Sequence, residues 1–142
     1  MIDKFVASAE AALADIPDGA TIMIGGFGGA GIGAFFTPTA FGTDLAKGKE
    51  TRRIGDRDYV LEYPIHADYA LIKAERADRW GNLSYRKTAR NFAPIMAMAA
   101  KCTVVQVRET VELGTLDPET VVTPGIFVQR VVKVSPQLRK AA

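Results

Sequence analysis

The sequence predicts an α/β fold, on three observations. An alanine-rich amphipathic segment occupies residues 3–14, the continuous apolar triplet Ile22-Met23-Ile24 reads as a buried strand, and an Ala/Met-rich helical segment leads into a β-branched run at residues 103–107. Continuous apolar runs suit strands covered on both faces. The 142 residues fit one domain. A hydrophobic share of 48% and a charged share of 24% are ordinary for a globular protein, which excludes a disordered tail, a collagen and a coiled coil. A formal net charge of +2 gives no reason to expect nucleic-acid binding. No apolar stretch approaches a membrane span, and Met1-Ile2-Asp3-Lys4 carries an acid where a secretory signal would not, so no membrane is expected as a partner. The single cysteine, Cys102, cannot form an internal disulfide, consistent with a reducing, cytoplasmic setting. One cysteine and one histidine argue against a structural zinc site, and no metal is expected.

The elements follow in order. Residues 3–14 form a helix on alanine propensity, with Phe5, Ala9, Ala12 and Leu13 near one face and Asp3 as N-cap. Pro17-Asp18-Gly19 is a turn before the strand at Ile22. Residues 34–48 hold Pro38, Gly42 and Gly48 and read as irregular, with one helical turn at Asp44-Leu45-Ala46. Residues 50–54 and 58–63 are extended runs flanking the hairpin turn Gly55-Asp56-Arg57. Residues 67–74 are an apolar strand, Asp78-Arg79-Trp80-Gly81-Asn82 a turn, and residues 83–85 a short extended piece. A helix over residues 95–101 starts after Pro94. Strands follow at residues 103–107 and 127–134, separated by loops at Asp117-Pro118 and Thr123-Pro124-Gly125.

The most informative stretch is Gly25-Gly26-Phe27-Gly28-Gly29-Ala30-Gly31-Ile32-Gly33, in which six of nine residues are glycine. No helix or strand interior favours that composition, so it is a loop where backbone approaches something closely. It spells G-x-G-x-x-G after a strand, but a dinucleotide fingerprint needs a helix to open at the loop, and Ile32-Gly33-Ala34-Phe35-Phe36-Thr37-Pro38 does not provide one. Two readings stand: a turn that only lets strands pack, and a loop whose exposed amides face a ligand.

Wider context favours the ligand-facing loop. Asp18-Gly19, the apolar triplet, Gly25-Gly26-Phe27 and Gly31 resemble the signature of the A-type subunit of class I CoA-transferases, with Gly33 where that pattern carries proline. Asp78-Arg79-Trp80-Gly81-Asn82-Leu83, Tyr85-Arg86-Lys87, Ala89-Arg90-Asn91-Phe92 and Thr123-Pro124-Gly125-Ile126 resemble the same family. The runs Gly31-Ile32-Gly33-Ala34-Phe35-Phe36 and Pro64 to Ala74 resemble most its 3-oxoadipate-directed subfamily, ahead of the acetate and acetoacetate relatives. The resemblance implies an open α/β sheet of the NagB/RpiA/CoA-transferase-like kind. It also implies CoA as substrate rather than as a permanently bound cofactor, with Gly25, Gly26, Phe27, Gly28, Gly29, Ala30 and Gly31 as the CoA-binding residues. The implied reaction moves CoA from succinyl-CoA to a 3-oxo acid through a glutamyl-CoA thioester. The nucleophilic glutamate belongs to a partner, the B-type subunit, so no catalytic residue is expected here. In the family, a stretch longer than half of this chain separates the two glycine motifs, which here are fused near Gly28 and Gly31. The chain thus reads as a truncated single domain, residues 1–142. Either an internal deletion or a sequence recording part of a longer protein accounts for the fusion. Such a remnant should associate with the B-type subunit or with itself. A third reading is an inactive chain that keeps only interaction surface.

The residues alone agree that no catalytic set is evident: none of the 16 acids sits in an apolar strand-to-turn context that would raise its pKa. His66 reads as structural, Cys102 as a packed thiol ending the Ala/Met helix, Met96 and Met98 as core, and Trp80 as a packing anchor. Arg86, Lys87 and Arg90, with Asn91, are either a solvated face or a contact for another subunit or an acidic substrate.

Overall fold

The computed structural model describes residues 2–23 and 31–134. Its centre is a five-stranded, wholly parallel sheet in the order β1 (Phe5–Val6), β11 (Arg130–Lys133), β9 (Ala100–Val107), β6 (Ala67–Lys73) and β2 (Ile22–Met23). β6 and β9 are the inner pair, with Leu71 opposite Val104 and Lys73 opposite Gln106. Both faces of this pair are apolar, as a doubly covered parallel sheet requires. One core cluster gathers Ala70, Ile72, Val105, Val107 and Val131 with Leu83 and Val128, and a smaller one gathers Leu71, Cys102, Val104 and Val132 with Ala12.

Two short sheets attach to it. β7 (Arg76–Ala77) lies between β8 (Leu83–Ser84), antiparallel, and β10 (Glu109–Thr110), parallel. β5 (Arg57–Glu62) lies between β3 (Phe35–Thr37) and β4 (Thr51–Ile54), both antiparallel to it. The β4–β5 hairpin turns at Gly55-Asp56 as expected, and the helical turn at Asp44–Ala46 forms as a 3-10 turn.

The N-terminal helix differs from expectation. Phe5-Val6 forms β1 beside Val131 and Val132, and the helix α1 is only Ala9–Leu13. Ser8, not Asp3, is its cap: the Ser8 hydroxyl accepts from the Ala11 amide at 3.2 Å, while Asp3 accepts from the Phe5 amide at 3.0 Å. An aromatic and a β-branched residue gain more from a parallel ladder on β11 than from one extra helical turn. The second helix, α2, spans Ala89–Ala99 and so starts before Pro94 instead of after it. Proline removes the bond that residue 94 would give the Arg90 carbonyl, but Ala93, Met96, Ala97 and Ala99 bury against the sheet. The expected helical end at residues 100 and 101 is the start of β9, which moves Cys102 from a helix onto a strand. Likewise Gly125–Phe127 is a 3-10 turn, and the last strand begins only at Arg130.

Candidate functional site

Because all five strands run parallel, their carboxyl ends share one edge, and open parallel sheets bind ligands at that edge. β2 ends at Met23, two residues before the glycine-rich run in the sequence. Gly25, Gly26, Phe27, Gly28, Gly29 and Ala30 lie outside the described residues; Gly31 is exposed, with a left-handed φ of +82°. The register places Met23 level with Ala70, three residues before Lys73, about 10 Å along β6.

β2 is held at its amino end. The Asp68 carboxylate accepts from the Thr21 amide at 3.1 Å and from the Lys101 ammonium at 2.8 Å. Lys101 and these hydrogen bonds hold the Asp68 carboxyl below the usual carboxylate range, and Asp68 in turn raises Lys101. This clasp lies at the edge opposite the carboxyl ends.

At the carboxyl ends, β6 and β9 bend together at Glu75 and Arg108 and continue as β7 and β10. The bend is pinned by the Ala74 amide on the Gln106 carbonyl at 2.9 Å and by the Arg108 amide on the Glu75 carbonyl at 3.1 Å. The connection from β8 to α2, Tyr85-Arg86-Lys87-Thr88, folds over the bend. Tyr85 anchors it: its hydroxyl lies 2.7 Å from the Thr123 hydroxyl, and burial pushes the phenol up to about 12. Strand ends and connection line an open pocket of about 370 Å³ whose charged lining is Glu75 and the exposed cations Lys73, Arg86, Lys87 and Arg108. Arg86 and Lys87 are thus brought together with two cations, Lys73 and Arg108, that sequence reasoning did not single out, while Arg90 and Asn91 lie outside this lining. The overlooked signal was that each inner strand gives way to a cation, Lys73 and Arg108, at its carboxyl end.

Beside the pocket lies an open apolar groove of about 530 Å³ over the sheet face. Its walls are Ala12 and Leu13 of α1 and Phe92, Ala93 and Met96 of α2; its floor is Leu71, Val104 and Val132. Lys73, Thr88 and Ala89 are common to groove and pocket.

The turn after β7 closes the second sheet. Asp78, 2% exposed, accepts from the Trp80 amide at 2.9 Å, the Asn82 amide at 3.1 Å and the Asn82 side-chain amide at 2.8 Å. Asn82 then accepts from the Gly125 amide at 2.9 Å, and the Lys4 ammonium donates to the Gly125 carbonyl at 2.6 Å. Burial lowers Lys4, against the attraction of Asp78. The anchor of this turn is therefore Asp78 with Asn82; Trp80 is 44% exposed, contrary to the packing role expected of it. His66 is exposed, Met96 is core, and Met98 is 37% exposed rather than core. Cys102 packs on the smaller cluster, where burial raises its thiol, in keeping with a packed role. Among the described residues no helix is long and apolar enough to cross a membrane.

Comparison with known proteins bears on family and fold. The chain is 71% identical over 107 residues to the A-type subunit of the 3-oxoadipate CoA-transferase of Pseudomonas putida, covering 75% of this chain and 46% of the relative. It is 64% identical over 114 residues to the protein of the same name from Acinetobacter baylyi, covering 80% and 50%. The chain spans about half the length of the curated relatives it matches. The fold is similar to that of an acyl-CoA transferase apoenzyme of Escherichia coli O157:H7, with a TM-score of 0.65 at 21% identity over 74% of this chain and 24% of the other. Residues 27–134 match the Coenzyme A transferase family, and the chain belongs to it.

Proposed function

We propose that this chain is the A-type subunit of a CoA-transferase that moves CoA from succinyl-CoA to 3-oxoadipate. The observation that carries the reading is the 71% identity to the A-type subunit of a 3-oxoadipate CoA-transferase. The end of β2 at the carboxyl edge of a parallel sheet, two residues before the glycine-rich run in sequence, supports it, because amides without a Cβ can approach a ligand closely. In this reading a glutamate of the B-type subunit attacks the acyl thioester and becomes the glutamyl-CoA thioester. The backbone of Gly25, Gly26, Phe27, Gly28, Gly29, Ala30 and Gly31 meets the CoA and stabilises the charge that develops on the carbonyl oxygen. CoA is a substrate, and the protein keeps no permanent cofactor. Residues 1–142 form one A-type domain in which the two glycine motifs are fused near Gly28 and Gly31.

The test combines the chain with the B-type subunit, supplies succinyl-CoA with 3-oxoadipate, acetoacetate or acetate, and follows CoA transfer together with the mass of each chain. Transfer fastest to 3-oxoadipate, with a CoA adduct on the B-type subunit, is expected. An adduct on this chain would overturn the division of labour. Gly28→Val should weaken CoA binding more than it alters helix and strand content, and unchanged affinity would return the loop to a packing turn. The apolar groove favours a second reading, an inactive chain that retains association surface; it predicts a stable complex with the B-type subunit and no transfer.

A further inference from the structure

We propose that the bend at the carboxyl ends of β6 and β9 is an oxyanion-binding pocket, built for a ligand group carrying two neighbouring negative charges, such as a pyrophosphate or a dicarboxylate. The pocket is lined by four cations, Lys73, Arg86, Lys87 and Arg108, against one carboxylate, Glu75. That is a local net charge of +3 in a chain whose formal charge is only +2, so the remaining surface sums to −1. Like charges gathered at one place repel, and an anion in their midst is what turns the arrangement favourable.

Among the described residues, only Glu75 offsets the cluster. Among the described residues, Arg108 reaches Glu75 with a long contact of 3.5 Å, and Lys73, Arg86 and Lys87 form no ion pair. The backbone adds a second sign. Lys87 has a φ of +57°, and only it and Ala40 among the described non-glycine residues are in that region. A glycine or asparagine holds this conformation at lower cost, so a lysine there is retained against local preference. The next residue, Thr88, caps α2 without a side-chain hydrogen bond and lines the same pocket, which brings the positive end of an 11-residue helix to it. The supports are rigid: two hydrogen-bonded strand ends below and the Tyr85–Thr123 contact behind. The inference deepens the transferase reading, on which it rests for the identity of the natural ligand, since a CoA diphosphate and an acyl dicarboxylate share this chemistry.

The experiment is calorimetric titration of the full 142-residue chain with inorganic pyrophosphate and, separately, with succinate, at low and at physiological salt. One site per chain is expected, with affinity falling as salt rises. Tighter binding of pyrophosphate assigns the phosphate source, and tighter binding of succinate the carboxylate source. The double variant Arg86→Ala with Lys87→Gly should bind about tenfold more weakly. It should melt at the same temperature or higher, since glycine relieves the left-handed strain. Arg90→Ala, outside the pocket, should bind as the parent does, and Lys73→Gln reports from a strand if the loop variant does not fold. Absence of binding by both probes, or parental affinity in the variants, overturns the pocket. Transfer assayed in parallel with the B-type subunit separates the two ideas: transfer without anion binding refutes the pocket alone, and anion binding without transfer refutes the transferase reading alone.

Discussion

Replacing Gly125 by alanine should be among the most damaging single-methyl changes in the described structure. A Cβ built on Gly125 would stand 2.2 Å from the Trp80 carbonyl oxygen and 2.9 Å from its carbon. Both are backbone atoms, so no side chain can swing aside, and one segment must retreat by about 1 Å to reach ordinary contact. Retreat strains the Gly125 amide on Asn82, at 2.9 Å, and the Lys4 ammonium on the Gly125 carbonyl, at 2.6 Å. Two such bonds at about 1 kcal/mol each, with overpacking of about 1–2 kcal/mol, place the loss at about 3–4 kcal/mol. Two controls isolate the steric part. Gly114→Ala meets nothing within 4 Å but must hold φ +85°, for about 1 kcal/mol, and Gly33→Ala meets neither obstacle and should stay within about 0.5 kcal/mol of the parent. Urea unfolding at fixed protein concentration, followed by circular dichroism and by the single tryptophan, Trp80, gives the three values. A Gly125→Ala midpoint no lower than that of Gly114→Ala would refute the close approach and, with it, the buried junction that joins the Asp78 turn to the Thr123-Pro124-Gly125 loop.

The remaining predictions address ionisation, the buried turn and assembly. In an absorbance titration, Tyr85 should ionise near pH 12, and Tyr85→Phe should remove that step; because its folded pKa is raised, its contribution to stability falls as pH climbs from about 10 towards 12. Asp68, held low by Lys101, contributes stability above the ordinary carboxylate range and loses it as pH falls through its folded pKa, so Asp68→Asn should flatten the acid side of the stability profile, and an unchanged profile would remove the clasp from the account. Asp78→Ala leaves the Trp80 and Asn82 donors without their acceptor and should cost about 2–4 kcal/mol in urea unfolding, whereas a loss under 1 kcal/mol would show that water replaces the carboxylate. Sedimentation should show the chain self-associated, or paired when the B-type subunit is present, with Leu71→Lys in the groove weakening that association; a monodisperse monomer at high concentration would contradict it.

Local chemistry made much of the fold legible. The Gly55-Asp56 turn, the apolar run of β6 and the β-branched half of β9 were all readable because each is set by neighbours in sequence. Errors arose where a distant partner outweighed local preference. Phe5-Val6 looks helical beside so much alanine and is extended only because β11, more than a hundred residues later, offers a ladder. Pro94 reads as a helix start, yet the burial of Ala93 and Met96 against the sheet draws α2 back to Ala89. The short strands β3, β7 and β10 carry no periodic pattern of their own and exist through their partners.

The same division explains the site. A glycine-rich loop announces itself, because composition alone excludes regular structure, and it drew the sequence reading to residues 25–31. The basic pocket gives only partial local notice: Arg86 and Lys87 stand together with Arg90 in the sequence as a candidate contact for an acidic substrate, but Lys73 and Arg108 lie at distant strand ends with nothing local to link them. What joins them is the parallel pairing of β6 with β9, which sets Lys73 opposite Gln106 and so brings the residue after β9, Arg108, to the same edge. Once that register is known, the rule for open parallel sheets applies to the pocket, which lies at the carboxyl edge where β2 also ends. In the proposed reading, the exposed cations after β6 and β9 and the backbone amides that follow β2 serve one anionic ligand at this edge. A substrate carrying both a phosphorylated carrier and a free carboxylate has use for each.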